Sequence, residues 1–217
     1  MPISGHDSTV KVSGTPTGMV AEATTEVTAN VLFQITAAAK RIIDPDAALT
    51  VLVNAAPVTT GFVVDYLFGT VTFDPPLTSD VVTLTGNYLP TLAVLDAREF
   101  SVVMSRLLAD STVFKTSPHR TRQALLKDAS GSIGTLAALH DDLDPGGGSV
   151  KLIDLLADGT RKLLEVVFGN SGYAFRAWIL FESEEVNGVR DDLVNSSLGW
   201  QLAGSSLNLV SYGIGLV

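Results

Sequence analysis

Apolar and polar residues alternate along much of the chain, and residues 26–36 give the clearest case. The apolar odd positions are Val27, Ala29, Val31, Phe33 and Ile35. The even positions are polar, apart from Leu32. Because a strand places alternate side chains on opposite faces, this pattern predicts a β-strand with one buried face.

Shorter segments with similar patterns recur at intervals of roughly ten residues, separated by turn-forming Gly, Pro, Asn and Asp. This spacing is typical of an antiparallel sandwich or barrel, so the fold class predicted is all-β. The predicted strands are residues 49–53, 62–67, 70–74, 81–85, 162–168, 173–181, 198–202 and 207–212.

Residues 92–108 fit two patterns. Arg98, Phe100, Val102 and Met104 alternate as in one long strand. A helix is the alternative, whose faces would be formed by Leu92, Leu95, Glu99, Val102 and Arg106. We favour the strand because Val and Ser are frequent and no N-cap residue precedes the segment. Residues 128–136 are rich in Ser and Gly, and they also predict a strand, with glycines where a bulge or close packing occurs.

The remaining segments predict one domain, 1–217, with appendages. Residues 1–25 predict an N-terminal arm, and the Asp- and Gly-rich residues 140–149 predict a flexible loop. Ser149 is placed to cap one short α-helix over residues 149–156, flanking the β-structure. We therefore expect an antiparallel β-sandwich or barrel with one short helix and long loops or arms.

Composition narrows the class of protein. Charged residues are 17% of the chain and the mean hydropathy is +0.34, which is too apolar for a disordered chain. There is no cysteine, which excludes disulfides and thiol chemistry. No apolar run approaches the roughly 20 residues that cross a bilayer, and residues 1–7 lack the features of a signal peptide. We expect a soluble, acidic protein that does not insert into membranes.

The net charge is -9, and the charged residues are unevenly distributed along the chain. Residues 91–140 hold 6 bases and 4 acids, whereas the segments on either side are acidic. A monomer could simply solvate these groups. In a self-associating protein, opposite patches would instead set the direction in which copies dock. The candidate contact residues are the bases Lys115, Arg120, Arg122 and Lys127 and the acids Asp141, Asp142, Asp144, Glu184, Glu185, Asp191 and Asp192.

No motif identifies an enzyme, so we expect no catalytic residue, no cofactor and no metal. The three histidines have no metal-ligand spacing. A calcium loop counted from Asp142 would require Glu at its twelfth position, where Ile153 stands. Ser132 lacks the Gly-x-Ser-x-Gly context of a nucleophile elbow. Trp178 and Trp200 lie in strand patterns, which favours core or interface positions over a sugar platform.

Two segments and the late order of elements carry a resemblance to a known family. Residues 63–77 read Val-Val-Asp-Tyr-Leu-Phe-Gly-Thr-Val-Thr-Phe-Asp-Pro-Pro-Leu, and they continue to a second strand ending near Pro90. Residues 127–132 read Lys-Asp-Ala-Ser-Gly-Ser. The late order of elements is a helix ending in Ala157-Asp158-Gly159-Thr160, a strand over residues 163–166 and a strand near residues 173–181. These features resemble the tail tube (major tail) proteins of long-tailed bacteriophages, which are related to the tube proteins of type VI secretion systems and gene transfer agents.

The resemblance implies a structural virion protein that forms sixfold rings stacked into a hollow tube for DNA delivery. Strands would join across subunits, and an acidic channel would let DNA pass without sequence-specific binding. The implied partners are further copies of the chain and the tape-measure, tail terminator and baseplate or tip proteins. The implied location is the phage tail, after synthesis in the host cytoplasm.

Three other hypotheses remain open from the sequence. The chain could be another tail or head–tail joining ring protein. It could be a carbohydrate-binding β-sandwich, for which the tryptophans and the acidic loop would be used. A glycan-cleaving enzyme is the last alternative, although no acid–base pair identifies itself.

Overall fold

A computed structural model describes residues 8–78, 80–94, 97–110, 122–136, 159–169, 172–187, 195–203 and 212–216. These residues form fifteen β-strands and a 3₁₀ helix at Ala38–Lys40. The strands are β1 (Thr9–Ser13), β2 (Thr17–Thr28), β3 (Leu32–Ile35), β4 (Thr50–Val53), β5 (Ala56–Val58), β6 (Phe62–Asp65), β7 (Thr70–Phe73), β8 (Val82–Tyr88), β9 (Thr91–Ala93), β10 (Ala97–Asp110), β11 (Arg122–Leu136), β12 (Lys162–Val167), β13 (Tyr173–Asn187), β14 (Asn195–Leu202) and β15 (Tyr212–Leu216). The all-β prediction is confirmed.

The first sheet has eight antiparallel strands in the order β10-β11-β14-β13-β12-β1-β9, with β15 also paired to β13. Strand β13 organises this sheet because it is long enough to pair with three others. Its residues 174–179 pair with β12 on one edge. On the opposite edge, residues 173–177 pair with β15 and residues 179–187 pair with β14.

The second sheet has seven antiparallel strands in the order β5-β4-β8-β2-β3-β7-β6. Strand β2 pairs with β8 through its first half and with β3 through its second half. Its register shifts between Met19 and Glu22, where Ala21 has a φ of 47°. A bulge of this kind increases local twist, which lets one strand serve both halves of the sheet.

The second sheet lies in the chain between two neighbouring strands of the first. Strands β1 and β9 pair directly, with Val12 opposite Leu92 and Ser13 opposite Thr91. Immediately beyond this pair, the N–H of Gly14 donates to the carbonyl oxygen of Pro90 at 2.7 Å. The chain therefore leaves the first sheet and returns to it at adjacent positions.

Each sheet buries its own group of apolar side chains, and a third group lies where the sheets meet. The first cluster packs on one face of the first sheet and includes Ile133, Phe175 and Trp200. The second cluster includes Phe33, Phe73 and Leu84. The third consists of Ile42, Leu67, Leu89, Leu163, Trp178 and Ala203. Both tryptophans are buried, as expected for core or interface positions.

The structure corrects several predicted boundaries. The strand predicted over residues 26–36 is instead a hairpin, in which β2 ends at Thr28 and β3 begins at Leu32. Asn30 has a φ of 59° in the turn between them. Strand β8 continues through Gly86 and Asn87, where the sequence predicts its end. The sequence analysis also missed β1, β5 and most of β2 and β15. It predicted one strand over residues 92–108, where β9 ends at Ala93 and β10 begins at Ala97.

Residues 8–25 do not extend away from the fold as an arm. Val10 and Val12 of β1 are buried in the first cluster, and Met19 of β2 is buried in the second.

The preference for a strand over a helix at residues 92–108 is confirmed, because β10 covers most of this segment. Residues 1–7, the predicted loop at 140–149, the whole of the predicted helix at 149–156 and most of the predicted strand at 207–212 lie outside the described residues. The expectation of one domain stays a prediction.

Candidate functional site

Four long strands of the first sheet, β10, β11, β14 and β13, have one buried face and one exposed face. On β10, Phe100 and Val102 pack against the first cluster, whereas Ser101 and Ser105 are exposed. On β14, Leu198 and Trp200 are buried in the same cluster. The alternation of each strand therefore directs its small polar residues to the opposite face.

We call this opposite face the small-residue face. Cross-strand pairing brings together positions from all four strands, although up to about 100 residues separate them in the sequence. Its members are Glu99, Ser101, Val103, Ser105, Asp128, Ser130, Ser132, Gly134, Leu180, Glu182, Ser183, Glu185, Ser197, Gly199 and Gln201.

Close approach between β10 and β11 depends on a glycine. A Cβ at Gly131 would lie 1.9 Å from the carbonyl oxygen of Ser101 and 2.7 Å from Cζ2 of Trp200. No other residue fits this position without moving a backbone or the buried indole. The expectation of close packing around the glycines of residues 128–136 is confirmed.

Side chains on the small-residue face bond to one another. The hydroxyl oxygens of Ser101 and Ser132 lie 2.9 Å apart across the β10–β11 pair. The Gln201 amide donates to Oε2 of Glu182 at 2.5 Å. These hydrogen bonds within the face hold the polar side chains against the sheet, so the side chains project little into solvent.

The charged groups described on the small-residue face are all carboxylates. They are Glu99, Asp128, Glu182 and Glu185, and each is exposed. Because like charges repel through solvent at short range, this face disfavours contact with a polyanion.

Two strand edges that border the small-residue face have no partner among the described strands. Among the described strands, the fourteen-residue β10 pairs with β11 alone, so about every second residue directs its backbone N–H and C=O groups to the other edge. Residues 180–187 of β13 pair with β14 on one edge and with no described strand on the other. The β10 edge also carries Val103 and Met104, which are 60% and 54% exposed.

Four of the predicted inter-ring contact residues lie in described strands. Arg122 and Lys127 are on β11, opposite Asp110 and Arg106 of β10. Glu184 and Glu185 are on β13, opposite Leu198 and Ser197 of β14. The predicted contacts outside the described residues are Lys115, Arg120, Asp141, Asp142, Asp144, Asp191 and Asp192.

Within one chain, the structure does not bring these described bases and acids together. Glu185 pairs with Ser197, which in turn pairs with Gly134 of β11. Lys127 lies seven residues further along β11, a distance of about 23 Å at the usual rise per residue. A contact between Lys127 and Glu185 would therefore require two copies of the chain.

The part of the chain that the structure describes holds no group of three His, Asp or Glu residues able to bind a metal ion. In the same residues, no helix is long and apolar enough to span a membrane.

The sequence analysis did not predict that the positions of the small-residue face form one face. The Ser- and Gly-rich residues 128–134 signalled only its central strand.

No protein-family profile and no curated protein matches this sequence. Solved structures similar to the chain include two from gene transfer agent particles. A chain from the tail of an empty gene transfer agent particle, computed with helical refinement and C6 symmetry, gives a TM-score of 0.43 at 14% identity, covering 59% of this chain and 87% of that chain. A chain from the virion of a native gene transfer agent particle gives a TM-score of 0.42 at 15% identity, covering 57% of this chain and 88% of that one. Both scores and both identities are too low to assign either particle's function to this chain.

Proposed function

We propose that this chain is a structural subunit of a phage-like tail, which assembles into rings that stack into a hollow tube. The observation that carries the proposal is the small-residue face, bordered by two strand edges that pair with no described strand. The channel of the tube is lined by this face, and neighbouring subunits join through the edges. The sixfold symmetry implied by the sequence resemblance is part of this proposal.

The unpaired edges favour assembly because long exposed edges with apolar side chains pair readily with other chains. Strand β10 contains no proline, and Val103 and Met104 are exposed on it. The edge of β10 in one copy pairs with residues 180–187 of β13 in the next copy. This head-to-tail contact uses different patches on each subunit, so it closes into a ring when the rotation between copies permits.

The small-residue face suits a channel for DNA because it combines short side chains with acidic groups. Arginine and lysine at a DNA-facing surface bind phosphates and hold the duplex in place. Glu99, Asp128, Glu182 and Glu185 instead repel phosphates, and serine and glycine leave the passage wide. DNA passes along this surface without sequence-specific binding.

Rings stack through charge complementarity between the basic and acidic groups predicted from the sequence. The bases are Lys115, Arg120, Arg122 and Lys127, and the acids are those at 141, 142, 144, 184, 185, 191 and 192. The tube then meets tape-measure, terminator and baseplate or tip proteins in the virion, after synthesis in the host cytoplasm. Reversing Arg120 and Arg122 to Glu tests the stacking step: single rings without tubes support it, and tubes of unchanged length contradict it.

Negative-stain electron microscopy of the concentrated full chain tests the proposal. Rings or hollow tubes of uniform diameter are expected, and Met104→Glu should abolish them by placing a charge at the β10 edge. The matched control is Val63→Glu, which alters a side chain 74% exposed on β6 of the second sheet. Loss of rings in Met104→Glu with normal rings in Val63→Glu supports the edge contact.

Other results would contradict the proposal. Normal rings from the Met104→Glu variant would exclude β10 as the joining edge. Rings that never stack, even with the other tail proteins present, would favour a head–tail joining protein. A monomer that binds a glycan saturably would favour the carbohydrate-binding alternative, although Trp178 and Trp200 are buried and cannot stack on a sugar.

A further inference from the structure

We infer that residues 15–89 form an inserted module that folds by itself and that ring assembly does not require. The part about assembly rests on the function proposed above. The first support is the position of its ends. The N–H of Gly14 donates to the oxygen of Pro90, so the module begins and ends at one point on the edge of the first sheet.

The second support is that the module has a complete core of its own. All buried members of the second cluster fall within residues 15–89, from Met19 to Leu84. The partly buried side chains packed against them, from Ala37 to Tyr88, also come from this segment. Its seven strands pair only with one another among the described residues. Neither its backbone pairing nor its core needs the first sheet.

The third support is that the module docks through a limited contact. Ile42, Leu67 and Leu89 pack against side chains of the first sheet in the third cluster. Arg176 donates to the carbonyl oxygen of Leu67, and Arg161 Nη2 lies 2.6 Å from Asp46 Oδ1. This contact resembles an interface between domains more than a shared core.

The docking contact and the proposed assembly surfaces use different residues. Docking uses β12, Trp178 and Arg176 of β13, and Ala203. The small-residue face and its edges use β10, β11, β14 and the later residues of β13. The ring-forming part is therefore assigned to residues 8–14 and 90–216, and the module is carried on it as a separate surface unit.

Native-state hydrogen exchange on the full chain tests whether the module folds by itself. Phe33→Ala removes a buried ring of the second cluster and should increase opening of the module strands by at least about 100-fold. Strands β12 and β13 should keep their exchange rates within a few-fold. The matched variant is Phe175→Ala in the first cluster, which should increase exchange in the first sheet while the module stays protected. Equal acceleration of both sheets in both variants would overturn the inference.

A replacement variant tests whether assembly needs the module. Residues 15–89 are replaced by Asn-Gly, a two-residue turn that closes a hairpin between β1 and β9. Leu163→Thr and Trp178→Thr are added because removal of the module would expose these apolar side chains. Rings of normal diameter support the inference. A folded variant that forms no rings, when the unaltered chain does, overturns it.

Two further outcomes remain decisive. If the replacement variant does not fold, ring formation by Phe33→Ala is measured in urea that unfolds its module alone, and loss of rings there overturns the inference. If the unaltered chain forms no rings, the proposed function fails. In that case, hydrogen exchange still decides whether the module is an independent unit.

Discussion

Arg176 on β13 and Glu165 on β12 form a buried ion pair that also joins the two sheets. Arg176 Nη2 lies 2.6 Å from Glu165 Oε2, and both side chains are 2% exposed. Arg176 Nη1 donates to the Leu67 carbonyl oxygen at 2.7 Å, and the guanidinium lies over the ring of Phe68. Lys11 approaches the other carboxylate oxygen at 3.1 Å. One side chain of the first sheet therefore satisfies both a buried acid and a carbonyl of the second.

Arg176→Met should lower the free energy of unfolding by about 3–5 kcal/mol, because it leaves a buried carboxylate without its main partner. Urea denaturation measures this loss. The matched control is Arg161→Met, which removes an ion pair to the exposed Asp46 and should cost at most about 1 kcal/mol. The double variant Glu165→Leu, Arg176→Met should recover most of the stability because no charge stays buried. A loss in Arg176→Met no larger than in Arg161→Met would contradict the buried pair's role.

Gly131→Ala should be among the most destabilising substitutions in the first sheet. Its Cβ would meet the Ser101 carbonyl oxygen at 1.9 Å, and backbone must move to relieve this contact. We expect a loss of about 3 kcal/mol, at the upper end for overpacking. Gly18→Ala in β2 is the control, since its Cβ would meet its nearest neighbour at 3.9 Å. That change should be neutral or stabilising by up to about 1 kcal/mol in the same thermal or urea unfolding experiment. Equal effects of the two substitutions would contradict the packing at Gly131.

Alternation predicted most strands, but it did not show where a strand reverses. Phe33 and Ile35 are buried as the pattern predicts, whereas Val27 is 56% exposed. The two groups belong to different strands of a hairpin. The turn contains no Gly or Pro, and apolar residues recur at every second position across it. The pattern therefore gave no sign that one strand ended and another began. Asn30, which adopts the left-handed conformation there, was the available signal.

The candidate functional site was harder to predict because cross-strand register creates it. Ser101 and Ser132 are neighbours only because β10 pairs with β11 in one register, and Gly199 of β14 lies opposite Ser132. A shift of one residue would exchange the exposed serines for buried apolar residues. A single sequence carries no direct signal for pairings between such distant strands. The sequence showed the acidic pairs as charged residues. It did not show how far Glu185 lies from Lys127 in the folded chain.

Stability should fall above about pH 10 through the titration of Tyr66. Burial raises the pKa of this phenol above its ordinary value of 10.0, since desolvation disfavours the phenolate. The folded state holds the proton more tightly, so its contribution is complete below the unfolded pKa and is lost as pH rises toward the folded pKa. The stability difference between the unaltered chain and Tyr66→Phe, measured in urea from about pH 8 to about pH 11, should be constant at first and then move in favour of Tyr66→Phe. A difference independent of pH would show that Tyr66 does not titrate in this way.

Adding positive charge to the small-residue face should make the proposed channel retain DNA rather than release it. Ser105→Lys with Gln201→Lys places two cations per subunit on this face without altering a buried side chain. Assembled tubes of this variant should co-sediment with short duplex DNA that is protected from nuclease. The bound fraction should fall as salt rises, because phosphate binding releases counterions. The control, Val63→Lys with Thr72→Lys, adds the same charge to exposed positions of the second sheet, where bound DNA should stay sensitive to nuclease. Protected DNA in the control alone would assign the channel to the second sheet and contradict the proposed orientation of the subunit.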